Sequence, residues 1–297
     1  MLFIRNTVVA SVVSLSLFST ICYAEGDYQF EVLGSYEKED KKSSTDKAMF
    51  IGAEIFFEPV NTGNRPLAVA SFLDKKSSIG IGYVSSETKL INSSIFSFDT
   101  KGSLIGINYV TDEEAFILGA TYTDLDGDTN PVSQILDGNS FSVSLGKYMD
   151  DSTTVIASHS STDLDYTSTT PSQAFVVEID RYELEYVTIN KLGATDYYGY
   201  GVGVEFIRRD HSIVGKEDNT EFQIGGGYYF SRMTSLDAEI SFNSGDDVSS
   251  EGRTLEIGFT HFVTPNIALD IEFVKFSAED SNTEKSDSLS LAVIARI

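Results

Sequence analysis

The chain has no tryptophan and a single cysteine, Cys22, among its 297 residues. One cysteine cannot form an internal disulfide, so a covalent cross-link within the chain is excluded. Beyond residue 24, no apolar run approaches the ~20 residues that a membrane-spanning helix needs. Lysine and arginine are scarce, 21 against 45 acidic residues. The formal charge of −24 argues against a nucleic acid partner, because phosphate contacts need a basic surface.

The first 24 residues have the pattern of a secretory signal peptide. Arg5 precedes an apolar run at residues 8–18, and Cys22 and Ala24 supply small residues before a predicted cut ahead of Glu25. The apolar run is too short for a helical membrane anchor. We expect residues 1–24 to be removed on export and residues 25–297 to form one outer-membrane domain without cysteine.

After this segment, apolar and polar residues alternate with a period of two, which predicts fourteen strands. The last of them presents Leu289, Leu291 and Val293 on one face. Such a strand would be an aggregation-prone edge in a soluble protein, whereas a closed barrel pairs it with the first strand. The mean hydropathy of −0.08 fits strands with one face in lipid and one in water. The predicted fold is all-β, a transmembrane antiparallel up-and-down β-barrel of about 14 strands.

The predicted connections alternate in length, as they do in outer-membrane barrels. Residues 37–47, 123–139 and 208–219 are examples of long charged segments predicted as external loops. Residues 58–78 form a long connection where a short turn is expected, and the segment at 65–73 within it is predicted to be a brief helix or a folded-in segment. Two soluble β-sandwiches are the alternative fold, but no Pro/Ser/Gly-rich linker separates two halves.

Residues between the outward apolar positions are expected to face the lumen. Small residues and eleven carboxylates dominate this set, with Arg181 and Arg296 as its cations. A barrel of this size predicts a continuous water-filled passage unless an external loop folds inward, and carboxylates favour cations there. The predicted pore-lining residues are Glu31, Glu54, Glu183, Glu185, Glu205, Glu221, Asp237, Glu239, Glu256, Asp270, Glu272 and Arg181.

Two stretches resemble the general porin family of Gram-negative outer-membrane β-barrels. They are the predicted mature start, EGDYQFE at residues 25–31, and the Pro66-Leu67-Ala68 … Phe72-Leu73 segment followed by Ser77-Ser78 at the opening of the third strand. The chain departs from the family pattern at Val69, where an acidic residue is expected, and at Ile297, which replaces a terminal aromatic residue. The resemblance implies a porin that small hydrophilic solutes cross passively, without cofactor or catalytic cycle, and that the barrel-assembly machinery inserts.

Other chemistry is sparse in the sequence. No two of the three histidines, His159, His211 and His261, have metal-ligand spacing, and strand neighbours of His159 point to the opposite face. We therefore predict no enzyme, metal or cofactor. Residues 124–130, DLDGDTN, resemble an external calcium loop that lacks the distal glutamate, and a plain turn is the favoured interpretation.

The expected partners are outer-membrane lipid, lipopolysaccharide and small hydrophilic solutes. Four lysines of the first predicted loop are candidates for lipopolysaccharide phosphates: Lys38, Lys41, Lys42 and Lys47. Two other functions stay open. One is a surface adhesin or scaffold with a closed lumen, and the less favoured one is a barrel enzyme.

Overall fold

The computed structural model describes residues 28–90, 97–111, 115–130, 134–169, 172–192, 196–212, 215–245, 251–278 and 285–297. Fourteen antiparallel strands form a closed barrel in sequence order, with the last strand paired to the first. The predicted fold class is confirmed, while the predicted signal peptide lies outside the described residues. The strands are β1 Tyr28–Lys41, β2 Ser44–Val60, β3 Ser78–Leu90, β4 Ser97–Val110, β5 Phe116–Asn130, β6 Gln134–Tyr148, β7 Thr153–Thr169, β8 Ser172–Leu192, β9 Asp196–His211, β10 Gly215–Ser231, β11 Thr234–Gly245, β12 Gly252–Thr264, β13 Ile267–Ala278 and β14 Ser286–Arg296.

The outer surface of the barrel is apolar. Large side chains such as Ile51, Ile81 and Phe141 are more than half exposed there. A continuous apolar surface of this extent is typical of a lipid-facing wall. Strand β7 differs from its neighbours, because its outward residues at mid-strand include His159, whose ring stacks on Tyr182 at 4.6 Å. No helix among the described residues is long and apolar enough to cross a membrane.

The strands extend further than the sequence pattern predicts. Strand β1 ends at Lys41 and β2 begins at Ser44, so the predicted loop at residues 37–47 is almost entirely strand. Strand β8 has 21 residues, which at ~3.3 Å rise and a tilt near 40° span about 50 Å, twice the roughly 25 Å of an apolar band. Beyond that band both faces of a strand meet water, so charged residues on both faces do not prevent pairing.

The calcium-loop interpretation of residues 124–130 is corrected by the structure. These residues belong to β5 and pair with β4 and β6, so they do not form a loop or a turn. Asp124, Asp126 and Asp128 lie on the exposed face of an extended strand. A calcium loop must curl so that its carboxylates converge, which an extended strand prevents.

The barrel closes along a continuous seam between β1 and β14. The register runs from Glu31 opposite Arg296 to Lys41 opposite Ser286. Ile297 extends this ladder, since its N–H donates to the Phe30 carbonyl at 2.8 Å and its own carbonyl accepts from Phe30 N–H at 2.8 Å. The ladder is backbone-mediated, so the departure from an aromatic residue at this position does not prevent closure.

Inward glycines make room for neighbouring side chains. The Phe50 ring lies against both Gly52 and Gly82, where an added Cβ atom would stand 2.7 to 2.8 Å from ring carbons. The Gln223 amide group covers Gly203 in the same way. Such close approach is a usual reason for glycine within a strand. The wall at these positions is therefore thicker than a run of small residues suggests.

Candidate functional site

The connection from β2 to β3 folds into the barrel. We call residues 61–77 the strap and the barrel end from which it departs the periplasmic end, because the short turns of outer-membrane barrels lie there. The strap contains a 3-10 turn, Leu67–Val69, and one short helix, α1, Ala70–Asp74. The sequence predicted a brief helix or a folded-in segment here, and the structure contains both features.

The strap crosses the whole width of the lumen. Leu67 packs with residues of β1, β12, β13 and β14, Val69 with β8 and β10, and Phe72 with β4, β5 and β6. The strap therefore lies inside the barrel at the periplasmic end and contacts the wall on three sides. The wall residues in these three clusters are Leu33, Phe262, Ala268, Ala292 and Ile294, then Ile189 and Tyr229, then Val110, Ile117 and Tyr148.

One side of the strap is anchored at the seam. The Arg296 guanidinium, 1% exposed, donates from both terminal nitrogens to the Leu67 carbonyl at 3.3 and 3.4 Å and lies over the ring of Phe262. Leu67 N–H donates to the Arg232 carbonyl at 2.9 Å, and the Arg232 guanidinium donates to the Thr62 hydroxyl at 2.7 Å. Through these contacts, the backbone N–H and carbonyl groups of Leu67 find hydrogen-bond partners inside the barrel.

The opposite side of the strap is attached at the far wall, where β6 turns into β7. The Tyr148 hydroxyl donates to the Phe72 carbonyl at 2.9 Å, and the Lys75 ammonium lies 2.9 Å from an Asp151 carboxylate oxygen. The Lys75 hydrogen bond lowers the pKa of Asp151 from its ordinary value, so the pair is ionised at neutral pH. Asp151 is fully exposed to solvent, in contrast to Arg296 at the seam.

The strap is braced internally by Asp74. One carboxylate oxygen accepts from the Arg65 guanidinium at 2.8 Å, and the other accepts from Asn61 N–H at 2.7 Å. Both partners lie before the 3-10 turn, whereas Asp74 closes α1. The brace therefore ties the two ends of the strap to each other and favours movement of the segment as one piece.

Nine of the eleven predicted carboxylates form an acidic belt on the wall made by β8–β13. Glu183, Glu205 and Glu221 are direct register partners, and Glu239 pairs with Glu256 one step further round. The Glu239–Glu256 row lies four residues down from the first row, because Glu221 is in register with Asn243, and Glu272 lies two residues further down. These steps compensate for the tilt of the strands. Its members are Glu183, Glu185, Glu205, Glu221, Asp237, Glu239, Glu256, Asp270 and Glu272.

Hydrogen bonds fix part of this belt. Arg181 donates to both carboxylate oxygens of Glu205 at 3.1 and 3.3 Å. Glu183 accepts from the Ser158 hydroxyl at 3.1 Å and from the Gln223 amide at 3.3 Å. The adjoining wall, β4–β7, carries hydroxyl groups in register with the start of the belt, among them Thr121, Ser142, Ser144 and Ser160.

Glu31 and Glu54 were predicted to lie with the other carboxylates, but the structure places them elsewhere. They are register partners of each other at the periplasmic end, and Glu31 also stands opposite Arg296. Glu31 is 2% exposed. The period-two pattern identifies the inward face of a strand, but it does not give the height of a residue in the barrel, which depends on the tilt.

An apolar layer lies above the belt, toward the outer end. Strand β8 shows the order, with Val177 and Ile179 in this layer, Arg181 and Glu183 in the belt, and Ile189 packed with the strap. The sequence analysis did not predict this layer. Out-of-phase residues such as Leu125 and Leu164, each between two aspartates, were the available indication. The buried members of the outer apolar layer are Val84, Leu125, Leu136, Leu164, Tyr166, Val177, Ile179 and Ile207.

The histidines and lysines considered from the sequence lie in different surroundings, and among the lysines Lys38 and Lys42 are exposed. Within the described ranges, no group of three histidine, cysteine, aspartate or glutamate side chains has metal-holding geometry. His211 stacks on Phe175 at the outer end of the barrel, and His261 lies 3.0 Å from the Thr234 hydroxyl. Lys41 faces inward, where it pairs with Asp46 and with Glu39, so it is not placed to meet lipopolysaccharide.

A closed strand barrel whose interior holds a polar belt is the architecture of a membrane channel. The profile of a family described as "Putative general bacterial porin" matches residues 4–289 of this chain. The chain belongs to this porin family. The protein is thus an outer-membrane transmembrane β-barrel with a channel role. The resemblance of residues 25–31 and 66–78 to general porins is confirmed.

Solved outer-membrane proteins share the fold. The outer membrane protein Omp33 of Acinetobacter baumannii is 15% identical, with 91% of this chain and 99% of that chain covered and a TM-score of 0.55. The toluene transporter TbuX of Ralstonia pickettii is 10% identical, with 92% and 90% covered and a TM-score of 0.56. The toluene transporter TodX of Pseudomonas putida is 10% identical, with 92% and 90% covered and a TM-score of 0.52. No curated protein matches the chain.

Proposed function

We propose that this porin conducts small hydrophilic solutes passively through a water-filled path and prefers cations over anions. The observation that carries the proposal is the acidic belt, nine carboxylates with Arg181 as a cation among them. Carboxylates that line a narrow passage lower the energy of a passing cation and raise that of an anion. The residues proposed to line the path are the belt and Arg181, with Glu31 and Glu54 near the strap.

The path runs off the barrel axis. The outer apolar layer belongs to β3 and β5–β9, so the sector from β10 round to β2 remains as the polar side of the outer half. Glu37 and Glu39 of β1 are in register with Ser290 and Ser288 of β14 in that sector. A hydrated ion is proposed to enter along this side and to reach the belt beside the outer apolar layer.

The strap makes the proposed channel a gated one. Leu67 and Ala70 are completely buried where the strap crosses the lumen. We propose that passage at the periplasmic end requires the strap to move from this position. We expect single channels that open intermittently, with a conductance in the open state set by the belt.

Planar bilayers and liposomes test this proposal together. Reversal potentials in a salt gradient should show cation preference, and liposomes should swell in neutral sugars with a rate that falls as the sugar grows. Anion selectivity would overturn the proposed role of the belt. Absence of conductance and of swelling at every voltage, even after the strap is replaced by a short flexible linker, would overturn the channel itself.

A surface adhesin or scaffold with a closed lumen is the second candidate. Two observations favour it, namely the strap across the lumen and the strands that extend past the apolar band. Such a protein would not swell liposomes with or without the strap, which separates the two functions. An enzymatic function has no candidate site among the described residues, and we propose none.

Maturation and surroundings complete the proposal. We propose that residues 1–24 are cleaved as a signal peptide, which N-terminal sequencing of the membrane-extracted protein would show as a start at Glu25. We also propose that the barrel-assembly machinery inserts the protein and that the inserted barrel contacts lipopolysaccharide. Any start inside residues 8–18 would contradict the cleavage.

A further inference from the structure

The strap has two attachments of unequal character on opposite walls of the barrel. At the seam, the Leu67 carbonyl accepts from the buried Arg296 guanidinium, and Leu67 packs among buried apolar side chains. At the far wall, Phe72 packs against Val110, Ile117 and Tyr148, and the polar contacts there are the Lys75–Asp151 ion pair, whose carboxylate is fully exposed, and the Tyr148 hydroxyl bond to Phe72. Ion pairs between exposed side chains contribute little and are screened by salt, whereas buried contacts are not.

We propose that the strap is an asymmetric gate that pivots at the seam and is latched at the far wall by Lys75 and Asp151. This inference rests on the proposed channel function and specifies how the channel opens. The Asp74 brace to Arg65 and Asn61 keeps the strap in one piece, so release at one end moves the segment as a whole.

The backbone at the latch supports release at that end. Helix α1 ends at Asp74 and is followed by Lys75, whose φ of 54° lies in the left-handed region that residues other than glycine seldom adopt. The Lys75 ammonium also lies 5.0 Å from the centre of the Tyr148 ring. Lys75 thus combines a left-handed backbone conformation with a side chain that reaches the far wall. Loss of the ion pair with Asp151 removes a contact that holds Lys75 in this conformation.

Charge removal at the latch tests the proposal. Asp151→Asn keeps the shape of the side chain, and Lys75→Gln keeps a polar side chain. Each removes the pair, so the open probability of single channels should rise about two- to fivefold, the range for an exposed ion pair. The charge-swapped variant with Lys75→Asp and Asp151→Lys should return the open probability toward the original value. The open-state conductance and the reversal potential should not change, because neither residue belongs to the belt.

A matched control lies one residue away. Lys76 pairs with Glu58 at 2.7 Å, and this pair is similar in distance but joins the strap to β2, the strand from which it departs. Glu58→Gln should leave the open probability unchanged. Equal effects of Glu58→Gln and Asp151→Asn, or no effect of either latch variant, would overturn the latch.

Salt provides a second measurement on the unmodified protein. Raising the ionic strength from about 0.1 M to about 1 M shortens the Debye length from about 10 Å to about 3 Å, so the open probability should rise. This rise should be absent in Asp151→Asn, which has no pair to screen. If the variant and the original respond alike, the pivot at the seam is not supported. Replacement of residues 62–75 by a flexible linker shows independently whether the barrel conducts, so failure of the latch and failure of the channel remain distinguishable.

Discussion

The wall formed by β8–β13 and the adjoining wall formed by β4–β7 carry different side chains. The first presents the acidic belt, including Glu183, Glu205 and Glu256. The second presents hydroxyl groups, such as those of Ser142 and Ser144, with the buried Leu125 and Leu164 above them. The carboxylates are therefore concentrated on one wall, whereas the outer apolar layer extends over β3 and β5–β9, and substitutions in the belt and in the layer should affect different properties.

The largest expected effect is on stability, from the filled wall. Leu164 is 1% exposed within the outer apolar layer, so Leu164→Ala should lower the free energy of unfolding by about 2–5 kcal/mol. Leu184, 51% exposed on the lipid side of β8, is the matched position, and Leu184→Ala should cost less because it leaves no enclosed cavity. Urea unfolding in lipid vesicles measures both, and equal losses would show that the layer is not packed.

The next effect is on ion selectivity, from the acidic wall. Each carboxylate at about 8 Å from a cation in water contributes about 0.5 kcal/mol, or roughly twofold in partition. Replacing Glu239, Glu256 and Glu272 together by glutamine should therefore lower the ratio of cation to anion permeability by up to about eightfold in reversal-potential measurements. Ser142→Ala with Ser144→Ala on the hydroxyl wall should leave the reversal potential unchanged. A shift of similar size in the serine variant would remove the distinction between the walls.

A smaller change of opposite sign should come from Arg181. Its guanidinium is bonded to Glu205 at 3.1 Å and offsets part of the charge of the belt. Arg181→Gln should raise the ratio of cation to anion permeability by roughly twofold, since one positive charge is lost near the path. Reversal potentials in a salt gradient measure this ratio, and an unchanged ratio would place Arg181 away from the conducting path.

The smallest effect should come from moving charge to the other wall. Ser142→Glu adds a carboxylate to the hydroxyl wall, and salt shortens the distance over which this charge attracts cations. We expect a rise in cation preference of less than twofold, and none in about 1 M salt, where the Debye length is about 3 Å. A large rise that persists in high salt would mean that the path runs along the hydroxyl wall.

Much of the architecture could be predicted from the sequence, because period-two alternation is a local property. Fourteen strands, a closed barrel and the inward direction of residues such as Glu183 and Glu256 follow from alternation alone. The β2–β3 connection could also be recognised as a segment with structure of its own. These features need only the neighbours of each residue along the chain.

Features that depend on distant parts of the chain could not be predicted. Lys75 and Asp151 are 76 positions apart, and Leu67 and Arg296 are 229 positions apart, so no local pattern links them. The separation of Glu31 and Glu54 from the belt depends on strand tilt, which alternation does not report. Residues 37–47 and similar strand ends are predicted as loops from the sequence. Both faces of a strand meet water there, so charged residues occur on both faces and no apolar period of two marks the strand.

The ends of the long strands form the part of the molecule that extends beyond the apolar band. Residues such as Asp124, Asp126 and Asp128 are held in ladder register on β5, where β4 and β6 fix their backbone. An antibody against this part of the molecule would need an epitope assembled from several neighbouring segments of folded chain. Peptide immunogens cut from the same stretch would lack that shape, so intact barrels in vesicles are the appropriate antigen.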